Sequence, residues 1–460
     1  HALAAAWLEK IQEPDPFVIA THFELGADQQ RAAHWYVHAA ERALLGGDPD
    51  AALSALDHAM TIDPEGPSAA KTWALRASAA LISGNYALAS SAGQEAINRT
   101  QPGSVEHSKA IFGLFPAAMV LRQQEQIQRC LDFLGHVEPD DAAKPYFASA
   151  LAASVIVLCF TGRKDECGFF LRRIQDLAQR GPVYDPATTA WAQLGKACWY
   201  RYVERNHFAA LNLNRLSEQY FDSAGDFRHT ASSALDASLL GAFEQADAML
   251  TQALRKSNRG MTSLIVQYNR ALSHLERGDI AQTISLAETL LEDSRIQDEF
   301  AIASAGRLIL AEAYIEFGNL DAAADKLADW DSQLTGMLVN RTHALGVQAK
   351  LLLARGQTKE AARLAEDTIT QTRNAGIFDL RHHALLLTHV EALAACGEVG
   401  AARTAIAEAR DDVLRRANQI RDPNYRESFL DRVATNARIL QLAKKWSEGI
   451  TPASNTVEPC

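Results

Sequence analysis

The sequence predicts an all-α fold, a right-handed superhelix of about ten antiparallel helix hairpins with a C-terminal capping helix. A glycine followed five residues later by a small residue recurs at intervals of 36 to 43 residues, if two degenerate copies are counted. Between these glycines, apolar residues recur at spacings of three and four. None of the 14 prolines falls between Ala187 and Asp422. A long period with helical spacing is typical of stacked hairpins, so we expect an α-solenoid.

The recurring glycines mark the turn inside each hairpin. Glycine adopts the left-handed conformation that ends a helix without a Cβ penalty. The residue seven positions earlier is always alanine or valine, so we expect it and the small residue five positions later to lie where the two helices cross. Eight glycines carry the pattern: Gly47, Gly84, Gly162, Gly241, Gly278, Gly318, Gly356 and Gly397. The two degenerate copies, near Gln123 and Arg205, lack the glycine.

The pattern divides the chain into four expected segments. They are an adaptor or the remnant of an upstream domain (1–26), the repeat solenoid (27–411), a capping helix (412–447) and a disordered tail (448–460). The first segment opens at His1 already in a helical pattern, which favours a piece of a longer protein. A capping helix is expected because the last unit of a solenoid must cover its exposed end.

Charge and cysteine content limit the classes of function. A formal net charge of −11 argues against nucleic-acid binding, which requires clustered Lys and Arg. We interpret the basic stretch 410–445 as a solvated face of the closing helix. Six cysteines without a C-x-x-C pair indicate small core residues in a reducing compartment, so we expect a cytoplasmic protein. We expect no apolar run long enough to span a bilayer, and neither a membrane nor a cofactor is expected.

Three short patterns could carry chemistry, and each has a simpler explanation. Ser68 and Lys71 match S-x-x-K, but the companion motifs of that enzyme class are missing, so Ser68 is expected to begin a helix. Two histidine groups have spacings that could suit a metal, but they lack further ligands nearby and are interpreted as surface or groove residues. They are His34 with His38, and His382 and His383 with His389. We therefore predict neither catalytic residues nor metal ligands.

An aromatic and cationic stretch is the best candidate for a binding site. Residues 191–205 combine two Trp, two Tyr and three cations within one helical pattern. Amphipathic aromatic side chains beside cations suit peptide or ligand capture on a concave wall. The candidates for the groove are Lys196, Trp199, Tyr202, Tyr268 and Asn269. Core packing is the alternative for each of them.

The hairpins resemble tetratricopeptide repeats, with the longer period of the regulatory solenoids in bacterial signal-transduction ATPases and maltose-type activators. Two stretches, HFELGADQQRAAHWYVHAAERALLGGD and DPNYRESFLDRVATNARILQLAKKW, resemble the C-terminal region of large bacterial serine/threonine kinases. The resemblance implies a sensory region that binds a partner protein or small ligand in its groove and controls an upstream kinase or ATPase. The sequence itself lacks a phosphate-binding loop and the kinase motifs, so no phosphoryl transfer is expected from it.

Two other classes of function remain open from the sequence. A constitutive protein-interaction scaffold would bind a partner without any effector. A hydrolase would require a nucleophile, a base and an orienting group to converge, and no such trio is apparent. The sequence does not indicate the oligomeric state.

Overall fold

The computed structural model describes residues 1–180, 186–223, 231–256, 260–296, 300–328, 330 and 336–448. Throughout these residues the regular structure is helical and contains no strand. The first twelve helices are α1 (Ala2–Lys10), α2 (Pro16–Leu25), α3 (Gln29–Leu45), α4 (Pro49–Ile62), α5 (Ala69–Ile82), α6 (Tyr86–Asn98), α7 (Val105–Leu121), α8 (Gln124–His136), α9 (Lys144–Thr161), α10 (Lys164–Arg180), α11 (Pro186–Tyr202) and α12 (His207–Ser223).

Twelve more helices follow in the described part of the chain. They are α13 (Ser232–Leu239), α14 (Phe243–Lys256), α15 (Gly260–Arg277), α16 (Ile280–Ile296), α17 (Phe300–Phe317), α18 (Leu320–Lys326), α19 (Leu338–Ala354), α20 (Thr358–Ala375), α21 (His382–Ala395), α22 (Val399–Asn418), α23 (Pro423–Asp431) and α24 (Ala434–Ser447). In the described residues, contacts pair consecutive helices into hairpins, as the repeat predicts. The pairs are α3 with α4, α5 with α6, α7 with α8, α13 with α14, α15 with α16, α17 with α18, α19 with α20 and α21 with α22. The predicted fold class, an α-solenoid of helix hairpins, is confirmed.

The turn prediction is confirmed at all eight repeat glycines. Their φ angles lie between 75° and 88°, in the left-handed region that favours glycine. Arg122 and Arg205 occupy the equivalent turns of the two degenerate copies, with φ of 56° and 55°. An arginine is strained in this backbone conformation, whereas a glycine is not. The contacts of each arginine side chain therefore show whether that strain is offset.

The predicted crossing positions are buried in every hairpin that carries a repeat glycine. The residues seven positions before the glycines are Ala40, Ala77, Val155, Ala234, Ala271, Ala311, Ala349 and Val390, and each is at most 1% exposed. Five positions after the glycines lie Ala52, Ala89, Cys167, Ala246, Thr283, Ala323, Ala361 and Ala402, all with no exposed area. Small side chains at these points let the two helix axes approach closely.

The chain forms two compact units. The first contains His1–Val157, Glu166–Lys196 and Leu216–His229, and the second contains the other residues. In the first unit, α1 and α2 form the predicted pair of short helices, whose core includes Ile19 and Phe23. The N-terminal helix exposes Leu3 and Trp7.

In the second unit, the predicted capping segment 412–447 is more than one helix. Helix α22 continues to Asn418, and two further helices, α23 and α24, follow it. Asp422 separates α22 from α23, because its side chain accepts the backbone N–H groups of Asn424 and Tyr425 and begins a new helix. Helix α24 packs against α21, α22 and α15, and buries Ile439 and Trp446 in a core of the second unit.

One helical segment is apolar enough to cross a membrane by length and composition, although no such run was expected from the sequence. Asp141–Thr161 has a mean hydropathy of 1.6 over 18 residues, and 67% of that window is buried within the protein. Burial of this extent is typical of a core helix. The predicted tail, apart from Glu448, lies outside the described residues.

Candidate functional site

A strip of half-exposed polar side chains crosses four successive first helices of the hairpins in the first unit. This lysine strip consists of His38 and Glu41 on α3, Lys71 on α5, Lys109 on α7 and Tyr146 on α9. Because α3 packs on α5 and α5 on α7, side chains at matching positions of these helices form one continuous face. The strip is therefore built by the stacking of hairpins.

Glu41 joins two lysines that come from different hairpins. The Nζ of Lys71 lies 2.9 Å from one oxygen of Glu41, and the Nζ of Lys109 lies 3.3 Å from the other. The Lys109 ammonium also lies 4.5 Å from the ring centroid of Tyr146, which is 40% exposed. A cation over an exposed aromatic ring extends the polar strip with a large contact surface.

The electrostatics of the strip favour a charged carboxylate between its lysines. Partial burial acts against the charged form of Glu41, but Lys71 and Lys109 outweigh it and lower the pKa of that carboxyl. Burial, with Lys71 and His34, also lowers the pKa of His38. At neutral pH the strip thus has two cations, one anion and a neutral imidazole.

Sequence reasoning missed this strip, although a signal exists. Lys71 lies thirteen residues before Gly84, and Lys109 lies thirteen residues before Arg122, which takes the place of the glycine. The two lysines therefore share one register position in adjacent hairpins. Comparing residues column by column across the repeats would have placed them together.

In the second unit, some charges on the first helices are buried and paired with one another. Arg201 makes two hydrogen bonds to Asp236, Nε to Oδ1 at 2.9 Å and Nη2 to Oδ2 at 2.7 Å. Asn214 adds a third, at 2.7 Å, to the same carboxylate. Bidentate pairing of this kind satisfies both charges in a dry interior.

A larger ionic network connects α15, α17, α19 and α21 in the second unit. Arg381, directly before α21, contacts Glu276 and Glu312, with a nitrogen–oxygen distance of 2.7 Å to each. Lys350 donates to Glu312 at 3.0 Å, and His383 Nε2 lies 3.1 Å from Glu276. The carboxylates are up to 107 residues from their partners, so the network ties distant hairpins together.

Burial and pairing compete for the charge of these groups. Burial opposes the charged form of Glu276, but Arg381 and His383 outweigh it and lower the pKa to about 2. The same balance, with Arg381 and Lys350, holds the pKa of Glu312 well below its usual value. A cavity beside the network, of about 10 Å³, has room for one water molecule. The network therefore leaves no space there for a peptide.

The structure places the five predicted groove residues in different surroundings. Lys196 belongs to the first unit and is half-buried, whereas the other four belong to the second. Tyr202 is buried against Phe160, and Asn269 is buried with its Nδ2 donating to the carbonyl of Ala231 at 3.3 Å. The latter two match the core-packing alternative.

The two remaining candidates are half-buried. Trp199 donates its Nε1 hydrogen to Glu204 over 3.2 Å. Burial, with Asp379 nearby, raises the pKa of Tyr268 to about 12. Ligand binding by any of the five stays a prediction.

The histidine and serine patterns also have defined places. His34 is exposed, whereas His382 and His383 are buried, so the expectation that the later group lies at a surface or groove is wrong for these two. Burial, acting through desolvation, lowers the pKa of both imidazoles. Ser68 precedes α5 as expected, but its side chain makes no capping hydrogen bond. Within the described residues, no group of three or more His, Cys, Asp or Glu could hold a metal ion.

The basic stretch near the C-terminus is mostly exposed, and some of its arginines form ion pairs. Arg432 forms an ion pair with Glu244, at 2.5 Å, and Arg438 forms one with Glu391, at 2.6 Å. Arg416 is only 4% exposed. The interpretation of the stretch as a solvated face holds for its exposed basic residues and is wrong for Arg416, which α22 turns toward the interior. The exposed residues are Arg415, Arg421, Arg426, Arg432, Arg438, Lys444 and Lys445.

Comparisons with known proteins add to this description. No family model and no curated protein matches the chain. The crystal structure of a Rap protein complexed with competence and sporulation factor is similar, with a TM-score of 0.48 and 12% identity, over 75% of this chain and 99% of that one. The structure of NprR in complex with its cognate peptide NprX has a TM-score of 0.39 and 15% identity, over 74% of this chain and 84% of that one. The fold class rests on the helices of the chain itself.

Proposed function

We propose that the chain is a non-catalytic repeat protein whose lysine strip binds an extended acidic segment of a partner protein. The observation that carries this proposal is the half-exposed cationic strip across four hairpins of the first unit. The side chain of Lys71 is 30% exposed and that of Lys109 is 15% exposed, and the exposed ring of Tyr146 lies beside Lys109. By contrast, the side chains of the Arg201–Asp236 pair and of Arg381 with its two glutamates in the second unit are at most 7% exposed.

Charge supports an acidic partner segment. The chain as a whole carries a formal charge of −11. The lysine strip, with two lysines and one glutamate, has the opposite sign of charge. Two lysines share the single carboxylate of Glu41. An incoming carboxylate can therefore accept hydrogen bonds from both ammonium groups while Glu41 stays in place.

The length of the strip supports an extended peptide. Neighbouring packed helices lie about 8–10 Å apart, so the three steps from α3 to α9 span roughly 30 Å. An extended chain rises about 3.3 Å per residue, which gives a peptide of about nine residues. The exposed ring of Tyr146 would meet an apolar or aromatic side chain near one end of it.

Selection from a random peptide library tests this proposal. We expect enrichment of acidic peptides that bind the wild-type protein, and binding at least about tenfold weaker for Lys71→Ala/Lys109→Ala, since each charge-assisted hydrogen bond is worth about 1.5–3 kcal/mol. The matched control is Lys10→Ala/Lys359→Ala, which removes two exposed lysines and changes the net charge equally. Equal affinity for both double variants would contradict the proposal.

We further propose that partner binding controls the activity of an upstream kinase or ATPase module. The resemblance of the entry and exit stretches to bacterial kinase C-terminal regions supports this output. A ligand or partner can shift such a module only by the difference between its binding energies for two states. The test is the kinase or ATPase activity of the full-length protein with and without a selected peptide, and an unchanged activity would leave a constitutive scaffold.

The same proposal includes a cytoplasmic site of action and leaves room for a small-molecule effector. The five cysteines in the described residues form no disulfide bond, and four of them are buried. An effector would raise the melting temperature of the purified protein. A constitutive scaffold instead predicts a co-purifying protein and no small-molecule shift.

A further inference from the structure

Arg416, on α22 in the second unit, is a buried guanidinium group without a counter-ion of its own. It is 4% exposed, and its Nε and Nη1 atoms have no hydrogen-bond partner. Among the described residues, no carboxylate oxygen comes within ion-pairing distance of it. Burial, with Arg205 close by, lowers the pKa of Arg416 to about 9, so the group is still charged at neutral pH. An uncompensated buried charge is costly, and its persistence requires an explanation.

The nearest carboxylate, Asp412, is already shared. Arg205 donates Nη1 to Asp412 Oδ1 at 2.6 Å, and Arg415 also contacts this oxygen. Asp412 and Arg416 are four residues apart on α22 and so lie on one helical face. Two guanidinium groups thus contact one oxygen of this carboxylate, and its other oxygen, Oδ2, is buried without a hydrogen-bond partner. The other buried arginines nearby are neutralised by their own acids, Arg201 by Asp236 and Arg381 by Glu276 and Glu312.

Aromatic rings enclose this arginine group. Arg416 lies 4.9 Å from the ring centroid of Phe429, and Arg205 lies 4.9 Å from that of Phe378. Phe378 in turn contacts His382, with ring centroids 5.0 Å apart. The Nδ1 atoms of His382 and His383 are buried without a hydrogen-bond partner. The enclosure therefore combines a positive charge excess, free polar atoms and low-dielectric walls.

We propose that this enclosure binds a small inorganic anion beside Arg416. Water would satisfy the free polar atoms, but only an anion also compensates the excess positive charge. A guanidinium group presents parallel N–H donors that match oxyanions such as phosphate and also bind halides. The enclosing side chains are buried, so the anion is small.

The position of the site gives the anion a structural effect. Arg205 lies in the turn between α11 and α12, whereas Asp412 and Arg416 belong to α22 and Phe429 to α23. The backbone N–H of Phe378 also donates to the carbonyl of Tyr202, at 2.9 Å. An anion held among these elements links hairpins that are about 200 residues apart in the sequence. Because it binds only the folded protein, it stabilises the second unit by mass action.

Thermal unfolding in different anions at constant ionic strength tests the proposal. The full chain is titrated with sodium chloride or sodium phosphate, each replacing sodium gluconate, whose anion is too large for the enclosure. We expect a saturable rise in melting temperature of about 2–4 °C in one of the two series for wild type, and its loss in Arg416→Met. The preferred series distinguishes a halide from an oxyanion. Arg421→Met, at an exposed position outside this group, is the control and should retain the rise.

Two results would overturn the proposal. One is an identical anion dependence in wild type and Arg416→Met, which would make the effect non-specific. The other is a melting temperature for Arg416→Met at or above that of wild type in every anion, which would show that no ligand compensates the charge. Should Arg416→Met fail to fold, the wild type suffices. The ³⁵Cl signal of chloride should broaden when the wild-type protein is added and narrow again when phosphate is added. A ³⁵Cl line width that the protein does not change, together with no thermal rise in phosphate, would also count against the site.

Discussion

Two arginines occupy left-handed turn positions where the repeat has glycine elsewhere. Only Arg205 makes buried contacts that offset the backbone strain. Arg122 ends α7 at φ 56° with an exposed side chain. Arg205, at φ 55°, is buried and pairs with Asp412. The sequence identified both turns as degenerate copies, but their backbone conformation and the different fates of the two side chains appear only in the structure.

Replacing each arginine with glycine should therefore have opposite effects. We expect Arg122→Gly to stabilise the protein by about 0.5–1 kcal/mol, because it removes the left-handed strain and loses no buried contact. Arg205→Gly should destabilise it by about 3 kcal/mol or more, because Asp412 and Phe378 lose their partner. Urea unfolding of both variants measures the two values. A stabilising Arg205→Gly would show that the buried pair contributes nothing.

Buried neutral histidines predict a loss of stability in mild acid. Burial lowers the pKa of His207 to about 4, whereas an unfolded histidine titrates near 6.5. Below pH 6.5 the unfolded state takes up the proton first, so the free energy of unfolding falls, and the loss is complete near pH 4. Between pH 7.5 and pH 5.5 we expect a loss of about 1 kcal/mol from this residue.

Unfolding of His207→Gln at the two pH values checks this expectation. The variant should show a smaller difference between pH 7.5 and pH 5.5 than wild type does. His34→Gln, at an exposed position, is the matched control and should behave like wild type. The same pH dependence in all three proteins would remove His207 as its cause.

At the scale of helices, the repeat predicted the hairpins because its signals are local. A glycine at a turn and small residues at a crossing act within about twelve residues, so the sequence shows them directly. The end of α22 and the start of α23 are also local, since Asp422 caps the new helix. The expectation of one capping helix over 412–447 does not include the second break, between Asp431 and Ala434.

Two repeat glycines separate the cost of a turn from the cost of packing. Gly241 has φ 75°, and a Cβ there would collide with the carbonyl oxygen of Ser428 in α23. Gly356 has φ 77° and nothing within 4 Å of such a Cβ. Gly356→Ala should cost about 1 kcal/mol from backbone strain alone, and Gly241→Ala about 2–3 kcal/mol.

Comparison of the two alanine variants by urea unfolding measures the hold of α23 on the turn. Equal costs would mean that α23 moves away without loss. A larger loss of stability for Gly241→Ala supports firm packing of α23 against this turn, which the enclosure around Arg416 requires.

At the scale of the whole molecule, the sequence could not indicate which first helices of the hairpins keep their polar side chains accessible. The charges of the second unit pair over separations such as Glu276 with His383, 107 residues apart, and no spacing rule relates such positions. The predicted groove residues Tyr202 and Asn269 are consequently buried, whereas the half-exposed strip lies in the first unit. Tertiary packing decides between groove and core, and amphipathic pattern alone does not.

The most direct test of the central claim is photo-crosslinking in the native cell, with benzoylphenylalanine at Tyr146 of the strip or at Phe317, a 68% exposed control site. We predict a discrete crosslinked species from position 146 that disappears in Lys71→Ala/Lys109→Ala, and no such species from position 317. A species from position 146 that persists without the lysines, or the same species from both positions, would contradict partner binding on the lysine strip.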